Sequence, residues 1–502
     1  MRILMISPEG PPLARATVLV DVLEALPREL RARGHEVGIV LPYHREIREG
    51  AREEHVDTGV TVDVRLGAKT YVAEFLSSRT AGGVQLFFVR CDEFFDRAGI
   101  YGEHGVAYED NAARFIFFSK AAVELARRLT PSPQILHLHD WAAALVPALV
   151  REGRMPFRTV LTIHHLAEQG SFWGLDFGLT NLAERLFTPR GLEFFGRLNL
   201  LKGGIVLADR ITTVSERYRR EMLTAEGGCG LEIVLRENAA RLSGILNGAD
   251  YERWDPARDS LLPVPYDSTE LGGKRSSRDL LLAELELAPA NVTQVSNLQS
   301  NETSKPETRS TVVFGMLARL VPEKGFDVLM PVLDRLLSDD VRLVILGEGE
   351  PAYETALAVA AKKYPTKFAH RQSYDERLAH LIEAGADITF IPSKIEPSGL
   401  SAMYSLKYGA LPVARATGGI QEIIEDYDPT MESGCGFLYY DSSVEAFWDA
   451  IKRARDIFHN DQECWLRLMR RAMSQDFSWE SAAGHYEQLY LSLTTDATAA
   501  AA

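Results

Sequence analysis

The chain is predicted to be α/β, built from two Rossmann-like doubly wound domains facing a cleft. Two observations predict this. Short apolar or β-branched runs alternate with segments of helical spacing, the mark of βαβ units and a parallel sheet, and the alternation occurs in two separate series. The 502 residues also exceed what one hydrophobic core organises.

In the first series, residues 2–7, 35–41, 84–89, 134–138, 158–163 and 209–214 read as buried strands. Between the first two, Val18, Leu19, Val22, Leu23, Leu26 and Leu30 recur at helical steps and stop at Gly34, as a helix closed by a glycine would. The alternating runs 60–66 and 70–76 predict an antiparallel pair at one sheet edge. The second series places strands at 311–317, 341–346, 386–391 and 410–414, with helices at 326–337 and 376–384. Between the series, 291–310 is rich in Asn, Ser and Thr and reads as a flexible surface loop.

Seventy acidic against 55 basic residues give a formal charge of −15, which excludes nucleic acid as the expected partner. Cys91, Cys229, Cys435 and Cys464 form no C-x-x-C pair, so neither a disulfide framework nor a zinc ribbon is expected. No apolar run approaches the ~20 residues of a membrane helix, and Met1–Arg2 runs straight into a strand-like segment rather than a signal peptide. A cytoplasmic protein with no membrane span is expected.

Doubly wound folds bind ligands on the loops after their strands, so those loops carry the candidates. Glu396-Pro397-Ser398-Gly399-Leu400 follows a strand and opens a helix that includes Ser401. It offers a carboxylate for sugar hydroxyls beside a helix start suited to a phosphate, although Pro-Ser-Gly also serves as a plain turn and N-cap. Thr417-Gly418-Gly419 repeats the strand, glycine loop and helix arrangement. Arg319 and Lys324 follow strand 311–317 and supply the cations that a diphosphate leaving group needs, unless they are simply solvated surface cations. Gly347-Glu348-Gly349 lacks the third glycine of a dinucleotide fingerprint, so no nicotinamide cofactor is expected. In the first series, His137, His139-Asp140-Trp141 and His164-His165 end strands. Satisfied core histidines fit there better than a metal, and Asp140 and His164 fit as partners for sugar hydroxyls. Tyr374 could stack on a planar base.

Taken together these segments resemble the bacterial glycogen synthase and plant starch synthase family, glycosyltransferase family 5 of the ADP-glucose type. The resemblance runs over nearly the whole chain. It includes Ser7-Pro8-Glu9, Gly99-Ile100-Tyr101-Gly102, His139-Asp140-Trp141, Thr162-Ile163-His164, Leu246-Asn247-Gly248, Arg319 through Gly325, Tyr374-Asp375-Glu376, Glu396 through Leu400, Thr417-Gly418-Gly419 and Asp476 through Trp479. It implies a GT-B fold with an acceptor-side domain at 1–248, a nucleotide-sugar domain at 249–475 carrying the polar loop 288–310, a C-terminal helix at 476–494 crossing back to the first domain, and a tail at 495–502. The implied reaction moves glucose from ADP-glucose to the non-reducing end of an α-1,4-glucan with retention, using no cofactor and no metal.

Carried over by resemblance, Glu396 supports the developing oxocarbenium charge. Arg319 and Lys324 hold the diphosphate, and the amides of Gly399, Leu400 and Ser401 cap the phosphate. Tyr374 stacks on adenine, while His164, Asp140 and Asn247 position the glucose. The family's Lys-x-Gly-Gly-Leu loop is Arg15-Ala16-Thr17-Val18-Leu19 here. Arg15 keeps the charge, but Thr17 and Val18 lose the glycines' freedom. Ser398 replaces a cysteine, His165 an asparagine and Glu168 a tyrosine. These departures leave open a catalytically impaired glucan-binding or priming partner, a UDP-glucose donor or another acceptor. The sequence does not assign an oligomeric state.

Overall fold

A computed structural model describes residues 1–11, 19–50, 55–103, 105–290, 310–373 and 375–500. The predicted site residues Arg15 and Tyr374, and most of the polar loop 288–310, lie outside them. The described chain divides into two units, Met1–Gly248 with Trp479–Ala502, and Ala249–Ser478.

In the first unit the β-branched and apolar runs pair into one nine-stranded sheet. Its strands are β1 (Arg2–Ile6), β2 (Glu36–Pro42), β3 (Val56–Leu66), β4 (Lys69–Arg79), β5 (Gln85–Arg90), β6 (Ile135–His139), β7 (Arg158–Ile163), β8 (Arg210–Thr213) and β9 (Leu242–Gly244). Their order is β9-β8-β7-β6-β1-β2-β5-β4-β3. The β3–β4 and β4–β5 pairs are antiparallel and the other pairs parallel. From β1 the chain builds outward through β2 and then returns to the other side of β1 with β6. That reversal makes a switch point between β1 and β6.

The helix Leu19–Ala32 covers the sheet with Leu19, Val22, Leu23, Leu26 and Leu30 buried. Against the same core lies the C-terminal helix, Trp479–Ala500. Its Trp479, Ala483, Tyr486 and Tyr490 recur with the helical period and are buried, each aromatic contributing about 1.5–3 kcal/mol of transfer free energy. Tyr490 Oη lies 2.8 Å from His137 Nδ1. The helix continues to Ala500, into the residues read as a tail.

The second unit holds a six-stranded sheet of β10 (Val312–Leu317), β11 (Val341–Leu346), β12 (Phe368–Arg371), β13 (Ile388–Ile391), β14 (Leu411–Arg415) and β15 (Phe437–Tyr439). The order is β12-β11-β10-β13-β14-β15, parallel throughout, with the switch point between β10 and β13. Segment 326–337, expected as one helix, is broken into Phe326–Leu329, a 3-10 turn Met330–Val332 and Leu333–Leu337. Pro331, which lacks an N–H, sits in the turn. No helix among the described residues is long and apolar enough to cross a membrane.

Candidate active site

In the second unit the switch point brings together the loops after β10 and β13. Lys324 closes the 3-10 turn Pro322–Lys324, and its Nζ donates to Glu396 Oε2 at 2.6 Å. Ser393 Oγ donates to the same oxygen at 2.9 Å. Both bonds fall on Oε2. Glu396 itself is buried, so the nearby ammonium and hydroxyl offset the cost of holding a carboxylate away from water.

The loop is fixed from behind. Gly419 N–H donates to the carbonyls of Glu396 and Pro397 at 3.0 and 3.1 Å, and Lys394 N–H donates to Glu323 O at 2.7 Å. Arg415 Nη1 donates to Lys394 O at 2.7 Å, and Thr417 Oγ1 donates to the same carbonyl at 3.4 Å. Gly418 has φ +48°, and a Cβ there would lie 2.1 Å from Glu396 O, so only glycine lets the two loops approach this closely. Gly399, at φ +72°, starts the helix Leu400–Lys407. The unpaired amides and dipole of such a start favour an anion.

Glu396, Lys324, Ser398, Gly399, Leu400, Ser401, Thr417, Gly418 and Gly419 are thus gathered on these loops. Arg319 is exposed on the loop after β10 and makes no ion pair with Glu396. A small cavity under the ion pair is lined by Lys324, Glu383, Thr389, Glu396 and Ser405 among others. Burial pushes the Glu383 carboxyl up to about 8. Sequence reasoning missed Ser393, which bonds the Glu396 carboxylate, and gave no role to Arg415, which holds the Glu396 loop from the end of β14. Their positions at or just after strand ends were the only signal.

In the first unit the switch point brings the loop after β1 beside the end of β6. Asp140, at φ +55°, accepts the backbone N–H of His164 on Oδ1 at 2.7 Å. Burial pushes its carboxyl up to about 7, against the opposing backbone N–H bonds of His164 and His165. His164 Nε2 lies 3.0 Å from His139 Nδ1, and burial lowers the His164 imidazole to about 3, so it is neutral at physiological pH. His164 Nδ1 and Asn247 Oδ1 are buried with no partner among the described residues, the condition of groups that await water or ligand. His137 is spent on structure, its Nε2 lying 2.6 Å from Thr162 Oγ1. Glu9, fully buried, accepts the Tyr101 hydroxyl at 2.7 Å. Both residues were visible only as motif members. Among the described residues no group of three or more His, Cys, Asp or Glu side chains is arranged for a metal.

Two doubly wound units, each with charged side chains on its switch-point loops, define a glycosyltransferase of the GT-B class. Residues 2–237 match the starch synthase catalytic domain family, and residues 298–460 match glycosyl transferases group 1. The glycogen synthase of Koribacter versatilis is 38% identical, covering 98% of each chain. That of Anaeromyxobacter dehalogenans is 40% identical, covering 98% of this chain and all of its own. The catalytic domain of starch synthase IV from Arabidopsis thaliana, solved bound to ADP and acarbose, superposes with a TM-score of 0.85 at 30% identity, covering 97% of this chain and 98% of that one. The chain belongs to the glycogen synthase and starch synthase family and is a glucosyltransferase that extends α-glucan.

Proposed function

We propose that the protein transfers glucose from ADP-glucose to the non-reducing 4-hydroxyl of an α-1,4-glucan with retention, and that Glu396 and Lys324 carry the donor chemistry. The observation that carries this is the Lys324–Glu396 pair beside the start of helix Leu400–Lys407. As the glycosidic C–O bond breaks, positive charge grows on the sugar and negative charge on the departing diphosphate. Glu396 faces the first charge. Lys324, Arg319 and the amides of Gly399, Leu400 and Ser401 meet the second, a preorganised arrangement that needs little rearrangement during reaction.

His164, Asp140 and Asn247 act on the sugar. With Nε2 facing His139, the neutral imidazole offers its Nδ1 to one hydroxyl, and the partly protonated carboxyl can donate to another. Arg15 adds charge towards the phosphates and Tyr374 stacks on the adenine. Thr417, Gly418, Gly419 and Ser398 shape the donor loop. The proposed compartment is the cytoplasm, whose reducing conditions suit the four free thiols.

The test is diphosphate release from ADP-glucose and, separately, UDP-glucose by purified protein with glycogen. Glycogen-dependent release with ADP-glucose as the better donor is expected. Preference for UDP-glucose would overturn the donor assignment, and no release from either would overturn the catalytic one.

A further inference from the structure

The loop after His164 carries a small three-stranded antiparallel sheet, with Arg197–Asn199 between Ser171–Trp173 and Glu193–Phe194. Arg197 pairs with Trp173 on one side and with Phe194 on the other. Directly opposed residues project from one face of a sheet, so Trp173, Arg197 and Phe194 form a row about 10 Å long across three strands. The other face is used inward, with Leu198 buried and Phe172 packed 5.8 Å from Trp141.

The outer row is unusually apolar for a surface. Trp173 is 71% exposed, and at the adjoining turns Leu175 is 86% and Phe195 87% exposed. Phe195 packs edge to face on Phe194, centroids 4.6 Å apart. It also holds φ +48°, a conformation costing a bulky residue about 1–3 kcal/mol that no burial repays. Asparagine or glycine would suit that turn better, so the exposed ring is kept for something outside the fold. The guanidinium between the aromatics is fixed, with Arg197 Nε and Nη2 donating to Ser171 Oγ and O at 2.9 and 3.0 Å.

We propose that the Trp173–Arg197–Phe194 row, with Phe195, is a second α-glucan-binding surface that holds the polymer away from its reacting end. This rests on the glucan-extending function above. Flat aromatic faces pack against the C–H faces of sugar rings, and a fixed guanidinium donates to hydroxyls. A single cation already bonded to Ser171 suits a neutral chain better than an anionic one. The small sheet is held to the loop that begins at His164, which carries the proposed sugar contacts. Leu200 and Leu201 donate their N–H groups to Gly170 O and Gln169 O, both at 3.1 Å, and Asn199 Nδ2 donates to Gln169 Oε1 at 2.9 Å, on the loop that begins at His164.

The experiment compares the full-length protein with Trp173→Ala, Phe195→Gly and the two substitutions combined. Glycogen affinity is read by co-sedimentation, and kcat and KM are read with glycogen and with maltotriose. Losing a ring contact from each position is expected to weaken glycogen binding about tenfold in the combined variant, at about 0.5–1.5 kcal/mol per aromatic contact. KM for glycogen rises in step, while maltotriose kinetics do not change. Phe195→Gly also relieves the backbone, so it is expected to bind glycogen less well while unfolding no earlier than the parent, which separates lost binding from lost fold. Unchanged glycogen affinity in both variants would overturn the proposal. So would a parent protein that sediments as a dimer and variants that do not, since the face would then serve a second copy. Co-sedimentation needs no turnover, so failure of the parent to transfer glucose would count against the catalytic assignment and not against this surface.

Discussion

The ammonium of Lys324 lies 2.6 Å from Oε2 of Glu396 across 72 residues of sequence, because β10 and β13 are neighbours at the switch point of the second sheet. This ion pair sets the geometry of the donor site before any ligand arrives. Replacing the lysine therefore removes the partner that orients the acid and, on the proposed function, a contact to the diphosphate. Lys324→Met is expected to lower kcat/KM for ADP-glucose by about 100- to 1,000-fold, with an unchanged far-UV spectrum. Steady-state kinetics with glycogen checks this.

Gly418 faces a harder limit, since a methyl group there would lie 2.1 Å from Glu396 O. Gly418→Ala is expected to displace the acid's loop, costing about 1–3 kcal/mol of stability together with most of the activity. Urea unfolding and turnover, measured on the same preparation, check the pair of effects. Normal turnover would show that the contact is not needed.

The first unit should be acid-sensitive. Burial lowers His44 to about 4, His137 and His164 to about 3, and His139 well below its ordinary value near 6.5. The unfolded chain takes up these protons near pH 6.5 and the folded one does not, so this stability is present above that pH and lost as pH falls. Asp140 opposes the trend, because it keeps its proton up to about 7 when folded and releases it near 3.8 when unfolded. Four histidines against this one carboxyl leave a net proton uptake on unfolding, so stability is expected to fall as pH drops from about 6 towards 4. Chemical denaturation at two pH values checks the direction, and His137→Gln should make the fall shallower.

Tyr490→Phe leaves His137 Nδ1 without the hydroxyl 2.8 Å away. It is expected to cost about 1–3 kcal/mol of stability while leaving KM for ADP-glucose unchanged, as measured by thermal unfolding and donor titration. A changed KM would give the C-terminal helix a part in donor binding.

The two sheets were legible because buried parallel strands read as continuous apolar runs, as in residues 3–6 and Val312–Leu317. Short strands were not. Leu242–Gly244 and Phe437–Tyr439 have three residues each, too few to show a period. Pro331 broke a helix whose apolar spacing was otherwise regular. In the donor site, Glu396, Lys324 and the glycines were visible as loop residues after strands. The roles of Ser393 and Arg415 were not, because they depend on a loop-to-loop approach that no local pattern encodes. The outer row of the small sheet escaped for the same reason: Trp173, Phe194 and Arg197 share a face only through cross-strand pairing.

The central claim is that Glu396 supports charge on the sugar in the transition state. It is tested most directly by the turnover number of Glu396→Gln with saturating ADP-glucose and glycogen, beside ADP affinity measured by calorimetry. Turnover at least about 1,000-fold below the parent is expected, with ADP binding retained. Turnover within a few-fold of the parent, in a variant that still binds ADP, would contradict it.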